Sequence, residues 1–79
     1  SPIDPNSPKG TEVKVIIDNE GRLINGTDQD QAHAIVYLSH ETIYTIDRAI
    51  VGQYRTEVYL EEFPNIPFNS VLFTYASEF

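Results

Sequence analysis

His33 and His40 are the chain's two imidazoles, and imidazole is the side chain that titrates near neutral pH and most often ligates metal. They stand seven residues apart, which places them on one face of a helix or on opposite sides of a strand. No Asp or Glu lies at a spacing that completes a metal triad with both, so they read as exposed loop histidines. Their titration would make partner binding mildly pH-dependent. The carboxylate pairs are next. Asp28-x-Asp30 has the start of a calcium loop, but the glycine and the closing glutamate are missing at their places, and the stretch reads as a solvated acidic loop. Glu61-Glu62, beside Phe63, has no room for the sugar cleft that a pair of glycosidase carboxyls must flank. Ser39-His40 lacks a nucleophile elbow and a scaffold for an oxyanion hole. Asn25-Gly26-Thr27 fits the glycosylation pattern and reads as a turn. There is no Cys, which removes disulfides, thiolate metal sites and cysteine catalysis together. The expectation is a non-enzyme with no catalytic site, no metal and no cofactor.

The tyrosines carry more. If Val58 and Leu60 face a core, Tyr59 faces out beside Arg55 and Glu57. Tyr44 shares a strand face with Ile46, Arg48 and Ile50. Exposed Tyr flanked by Arg is enriched where proteins bind one another, and the candidate binding surface is Tyr44, Arg48, Arg55, Glu57 and Tyr59. The competing reading makes Tyr44 and Tyr59 cross-strand partners that stabilise a sheet without any ligand. Pro2, Pro5 and Pro8 would line one edge of a polyproline II helix, either as a docking peptide for an aromatic-lined groove or as a stiff tether.

Twelve Asp and Glu against five Lys and Arg give a net charge of −7. An acidic surface repels phosphates, so direct nucleic-acid binding is not expected. The expected function is non-catalytic binding of a protein partner. The alternative is an acidic inhibitor of a nucleic-acid enzyme that imitates nucleic acid, as a phage-encoded protein would. No apolar run is long enough to cross a bilayer and no hydrophobic signal segment opens the chain, so the expected setting is the cytoplasm, as a monomer or weak homodimer.

At 79 residues the chain is one domain, able to bury roughly 60–65 % of the surface its unfolded form exposes. Residues 1–10 read as a disordered, proline-bearing arm and residues 11–79 as the folded domain. Alternation makes a strand of Glu12 to Ile17, with Val13, Val15 and Ile17 inward. Asp18-Asn19-Glu20-Gly21 and Asn25-Gly26 are turns. Thr27 to Glu41 has two readings. One is a short helix capped by Thr27 or Asp28, with Ala32, Ile35 and Val36 on one face; the other, which the pattern favours slightly, is an irregular excursion ending in an extended segment. Thr42 to Val51 and Tyr54 to Glu61 are strands around a Gly52-Gln53 hairpin. Phe63 to Phe68 is a tight connection because two prolines interrupt any ladder, and Ser70 to Tyr75 is the last strand. The expected core is Val13, Val15, Ile17, Ile35, Ile43, Ile46, Val58, Leu60, Val71 and Phe73, with Phe63 and Phe68 plugging one end.

Lys9-Gly10-Thr11-Glu12-Val13-Lys14-Val15-Ile16 resembles the first strand of the SH3-like barrels found among small bacterial and phage-type proteins, KOW-type modules in particular. Glu41-Thr42-Ile43-Tyr44-Thr45-Ile46, Val58-Tyr59-Leu60 and Val71-Leu72-Phe73 are similar to the later strands, and the resemblance spans roughly residues 9 to 75. It implies an all-β fold: a small SH3-like barrel of about five short strands. The chain departs from KOW modules in lacking a basic surface, and from peptide-binding SH3 domains in lacking Trp.

Overall fold

The computed structural model describes residues 2–77. Five strands and one helix follow in the order β1 (Glu12–Val15), α1 (Asp28–Tyr37), β2 (Tyr44–Val51), β3 (Thr56–Leu60), β4 (Phe63–Asn69) and β5 (Phe73–Tyr75), with a 3-10 turn at Ser70–Leu72 before β5. The strands form one sheet in the order β4-β3-β2-β1-β5, antiparallel throughout. The molecule is thus mostly β, but the expected barrel does not close: no ladder joins β4 to β5 among the described residues. The edges explain why. Pro64 and Pro67 lie on β4, where proline withholds the N–H a further ladder would need, and the outer side of the three-residue β5 is met by the N-terminal arm. The sheet curls instead. Laid flat, four strand spacings would separate β4 from β5 by about 19 Å, yet the rings of Phe68 on β4 and Phe73 on β5 stand 6.2 Å apart.

The core gathers inside this curl. Val13, Val15, Ile46, Val58, Leu60, Phe68 and Phe73 are buried where alternation and the plugging aromatics place them, and Ile17 and Phe63 are packed half-buried against them. Val71 is half-buried. Ile43 is a correction: it is 53 % exposed, as Val51 is at 63 %. For Ile43 the cause is alternation, because Tyr44 and Ile46 take the inward positions; further along β2 there is a bulge, where Ile46 pairs with Leu60 but Arg48 with Tyr59, so that one extra residue sits on the strand. A bulge resets the two-residue period. Before it Tyr44 and Ile46 point inward; after it Ala49 packs on the core while Arg48 and Ile50 turn outward.

Four further expectations change. Residues 28–37 are a helix, not an extended excursion. Thr27 caps it: the Thr27 hydroxyl accepts the Asp30 N–H at 3.1 Å, and the Asp30 carboxylate accepts the Thr27 N–H at 3.0 Å. This reciprocal box satisfies two N–H groups that a helix start leaves unpaired. The face α1 presents to the fold carries Asp30, His33, Ala34 and Tyr37, through contacts of His33 with Phe68 and of Tyr37 with Phe63 at centroid distances of 5.2 and 5.7 Å. Ile35, expected in the core, is therefore 69 % exposed, with Val36 beside it at 72 %. Phe63–Asn69 is an edge strand rather than a loop, reached by a wide irregularity between Tyr59/Pro67 and Leu60/Phe63. Ser70–Leu72 is a 3-10 turn, not the start of a strand, because Asn69 caps it by accepting the Val71 N–H at 3.3 Å.

From Pro2 on, the described part of the arm packs against the fold. Ile3 is buried in the core, its N–H donates to the Phe73 carbonyl at 3.0 Å, and the Asp4 N–H donates to the Tyr75 hydroxyl at 3.0 Å. An Asp4-Pro5-Asn6-Ser7 turn folds the segment back, closed by Ser7 N–H on the Asp4 carbonyl at 3.0 Å.

Candidate functional site

The five residues read as a binding surface separate into three places. Tyr44 is buried, and its hydroxyl accepts the Ser39 N–H at 2.7 Å; it anchors the loop after α1 and belongs to no surface. Arg48 and Tyr59 do meet. They are paired across β2 and β3, and the Arg48 guanidinium lies 4.0 Å from the centre of the Tyr59 ring, a cation–π contact. Arg48 also donates to the Asp47 carboxylate at 3.0 Å and to the Pro64 carbonyl at 3.3 Å, so it is fixed over the ring. Ile50, paired with Glu57 on the same outer face, is half exposed. Beyond it Val51 and Tyr54 stand out at the hairpin, Tyr54 almost fully in solvent.

Arg55, just before β3, reaches towards α1 and pairs with Asp30. With Glu57, Gln29, His33, Pro67 and Asp30 it lines a shallow polar cleft of about 390 Å³. His33 Nε2 lies 3.0 Å from the Pro67 carbonyl at its wall, an arrangement that the Nε2–H tautomer satisfies as donor.

Asp30 is the feature the sequence reading missed. Taken there for a solvated loop residue, it is buried at 8 % exposure. Besides the Thr27 N–H it accepts the Arg55 guanidinium at 2.8 Å and the Asn69 amide at 3.0 Å. Burial works against its charge most strongly, but the Thr27 N–H, the Asn69 amide and the hydrogen bond and charge of Arg55 outweigh it together, holding the carboxyl at about 2. One carboxylate thus ties the start of α1 to the start of β3 and the end of β4. The signal was present as Thr27-x-x-Asp30, the spacing of a capping box. Both oxygens of Asp30 serve the fold, Oδ1 accepting from Arg55 and Oδ2 from Thr27 and Asn69, so the knot positions one wall of the cleft.

A second concavity is apolar, about 330 Å³ between α1 and the loop after β1, lined by Val15, Ile17, Leu23, Ala34, Ile35 and Leu38 together with Gly21, Ser39 and His40. Ile17 and Leu23 face each other across an isolated β-bridge, and Asp18 holds the intervening turn by accepting the N–H groups of Glu20 and Arg22. Those two backbone donors, Arg22 first, hold the Asp18 carboxyl below its ordinary range. Gly21 and Gly26 adopt the positive φ values of 79° and 82° that these turns need. Among the described residues no three His, Asp or Glu gather as a metal site, and no helix is long and apolar enough to cross a membrane.

Comparison with family models gives a match over residues 18–78 to the family described as bacteriophage T4 protein Y07B. The chain belongs to that family. Searches of curated proteins and of solved structures return no match. The Y07B match takes in α1, β2, β3, β4 and β5, and with them the Arg48–Tyr59 pair, the Asp30 knot and most of the apolar groove. The docked arm and β1 precede the span shared with the Y07B family.

Proposed function

We propose that this phage-type protein is a non-catalytic protein-binding module, acting in the host cytoplasm through the outer face of β2 and β3. The observation that carries the reading is the Arg48 guanidinium held over Tyr59 beside the half-exposed Ile50. A fixed cation on an aromatic ring, next to an aliphatic side chain, is a preorganised patch of the composition found at binding hot spots. Arg48 and Tyr59 are its centre and Glu57 its edge; Arg55, engaged with Asp30, flanks it, and Tyr44 supports the loop behind it. An SH3-like ancestry, with the barrel left open, is compatible with the curled five-stranded sheet and is part of the same proposal.

The test is capture of partners from host lysate on the full chain and on its Arg48→Ala and Tyr59→Ala variants, washed at low and high salt. A protein kept at both salts by the parent chain, and lost by both folded variants, is the expected result. A nucleic-acid enzyme kept only at low salt and indifferent to both variants would instead favour acidic mimicry, for which the net charge of −7 is the supporting observation.

A further inference from the structure

The carboxylate of Asp47 joins the N-terminal arm to the outer face of β2 and β3. Its Oδ2 accepts the Arg48 guanidinium at 3.0 Å, and its Oδ1 accepts the Lys9 ammonium. The bulge makes the first contact possible. In an unbroken strand neighbouring side chains point to opposite faces, whereas a bulge re-aims them. Asp47 is the extra residue between the Ile46–Leu60 and Arg48–Tyr59 pairs, and from that place its carboxylate reaches its own neighbour. The second contact follows from the course of the chain before β1. The Gly10 N–H donates to the Ile46 carbonyl at 2.8 Å, and the Ile46 N–H donates to the Thr11 carbonyl at 2.9 Å. Those two bonds lay Lys9 beside Asp47.

Arg48 needs such a brace. Its side chain is about half exposed, while that of Asp47 is mostly covered, and a long side chain in solvent loses rotamer freedom when it is held in one place. Its other contacts are the Pro64 carbonyl at a long 3.3 Å and the Tyr59 ring. The hydrogen bond from Lys9 first, then the charges of Lys9 and Arg48, hold the Asp47 carboxyl below its ordinary range against a partial loss of solvation. We propose that Asp47 and Lys9 are the positioning residues of the Arg48–Tyr59 patch: Asp47 holds Arg48 over the ring, and Lys9 occupies the second oxygen of Asp47. Without Lys9 both oxygens are open to Arg48, and a bidentate grip draws the guanidinium off Tyr59. The order of the patch therefore depends on a residue that precedes the span shared with the Y07B family. The value of that order for partner binding rests on the outer-face reading; the positioning itself is a property of the free chain.

The experiment is side-chain NMR of the isotopically labelled full chain and of its Asp47→Asn, Lys9→Ala, Lys9→Arg and Glu61→Gln variants. It reads the Arg48 Hδ resonances, which the Tyr59 ring displaces upfield, with the backbone amides reporting that each variant is folded. Asp47→Asn and Lys9→Ala are each expected to shift the equilibrium between ring-stacked and free Arg48 about twofold towards free, the size of one exposed ion pair. Lys9→Arg restores the parent spectrum. Glu61, a further carboxylate that acts on the Lys9 charge, is the control, and Glu61→Gln leaves Arg48 in place. Arg48 resonances without upfield displacement in the parent, or unmoved by Asp47→Asn or by Lys9→Ala, would overturn the proposal. So would an equal effect of Glu61→Gln, because overall charge rather than contact would then be responsible. The expected spectra together with partner capture indifferent to Arg48→Ala would support the positioning while removing the outer-face reading.

Discussion

Replacing Asp30 by Asn keeps the shape of the knot and removes its charge. The ionised carboxylate accepts from Thr27, Arg55 and Asn69, whereas an amide turns one of its two atoms into a donor facing donors. The cost also follows from the proton equilibrium. Asp30 titrates at about 2 in the fold against an ordinary 3.8, so between those values the unfolded chain binds the proton that the folded chain refuses. A depressed carboxyl contributes stability that is present above the unfolded value and is lost as pH falls through the folded one. That contribution is about 2 kcal/mol at neutral pH, about half of it gone by pH 3 and most of it by pH 2. Urea melts followed by far-UV circular dichroism at pH 7, 5, 4 and 3 should show Asp30→Asn less stable by about 2–3 kcal/mol at pH 7. Its deficit should shrink by about 1 kcal/mol at pH 3. Asp18 and Asp47, also held low, by backbone N–H groups and by Lys9 respectively, titrate in both proteins and cancel in the difference. A variant that loses under about 0.5 kcal/mol at pH 7, or whose stability falls between pH 5 and 3 as steeply as the parent's, refutes the assignment of Asp30 as the charged tie.

Two further outcomes follow from single positions. At Gly26 the φ of 82° is unfavourable for any side chain, and a Cβ would stand 3.1 Å from the Asp30 Cβ. Gly26→Ala should therefore lower stability by about 1–2 kcal/mol; Gly10→Ala, where φ is 92° but no atom lies within 4 Å, should lose less, and thermal melts of the pair separate backbone strain from contact. Tyr44→Phe removes the hydroxyl that accepts the Ser39 N–H and should destabilise by about 1 kcal/mol while leaving partner capture intact, which a melt and the capture assay together check.

What the sequence made legible was whatever depended on local period and turn chemistry. Val13, Val15, Val58 and Leu60 are buried because their strands alternate without interruption, and Gly21 and Gly26 sit where turns require positive φ. The failures share a cause in long-range contacts. The bulge in β2 reverses the facing of residues after Ile46, and the pairing of Arg48 with Tyr59 that reveals it is a tertiary event. Asp30 looked solvated because Asn69 and Arg55, which neutralise its burial, are far away in the chain. For α1 the apolar stripe of Ala32, Ile35 and Val36 was visible, but nothing local says that the helix turns it outward and packs His33 and Tyr37 on Phe68 and Phe63. Of the candidate surface, the facing of Tyr59 and its proximity to charge were readable; the removal of Tyr44 to the interior was not, because its partner is a backbone N–H in a loop.

The arrangement of β1 has a consequence for the order in which the chain can become whole. β1 lies between β2 and β5, and Val13 pairs with Tyr75 across most of the sequence. The segments of β2 and α1 precede β5 in the chain, and until β5 pairs, β1 keeps one bare edge carrying two valines. Joining such distant segments is entropically slow, and an unpaired edge is the template on which chains aggregate. The arm shares this delay, since the Phe73 carbonyl that receives Ile3 arrives with β5. The net charge of −7 opposes the association of such unfinished chains.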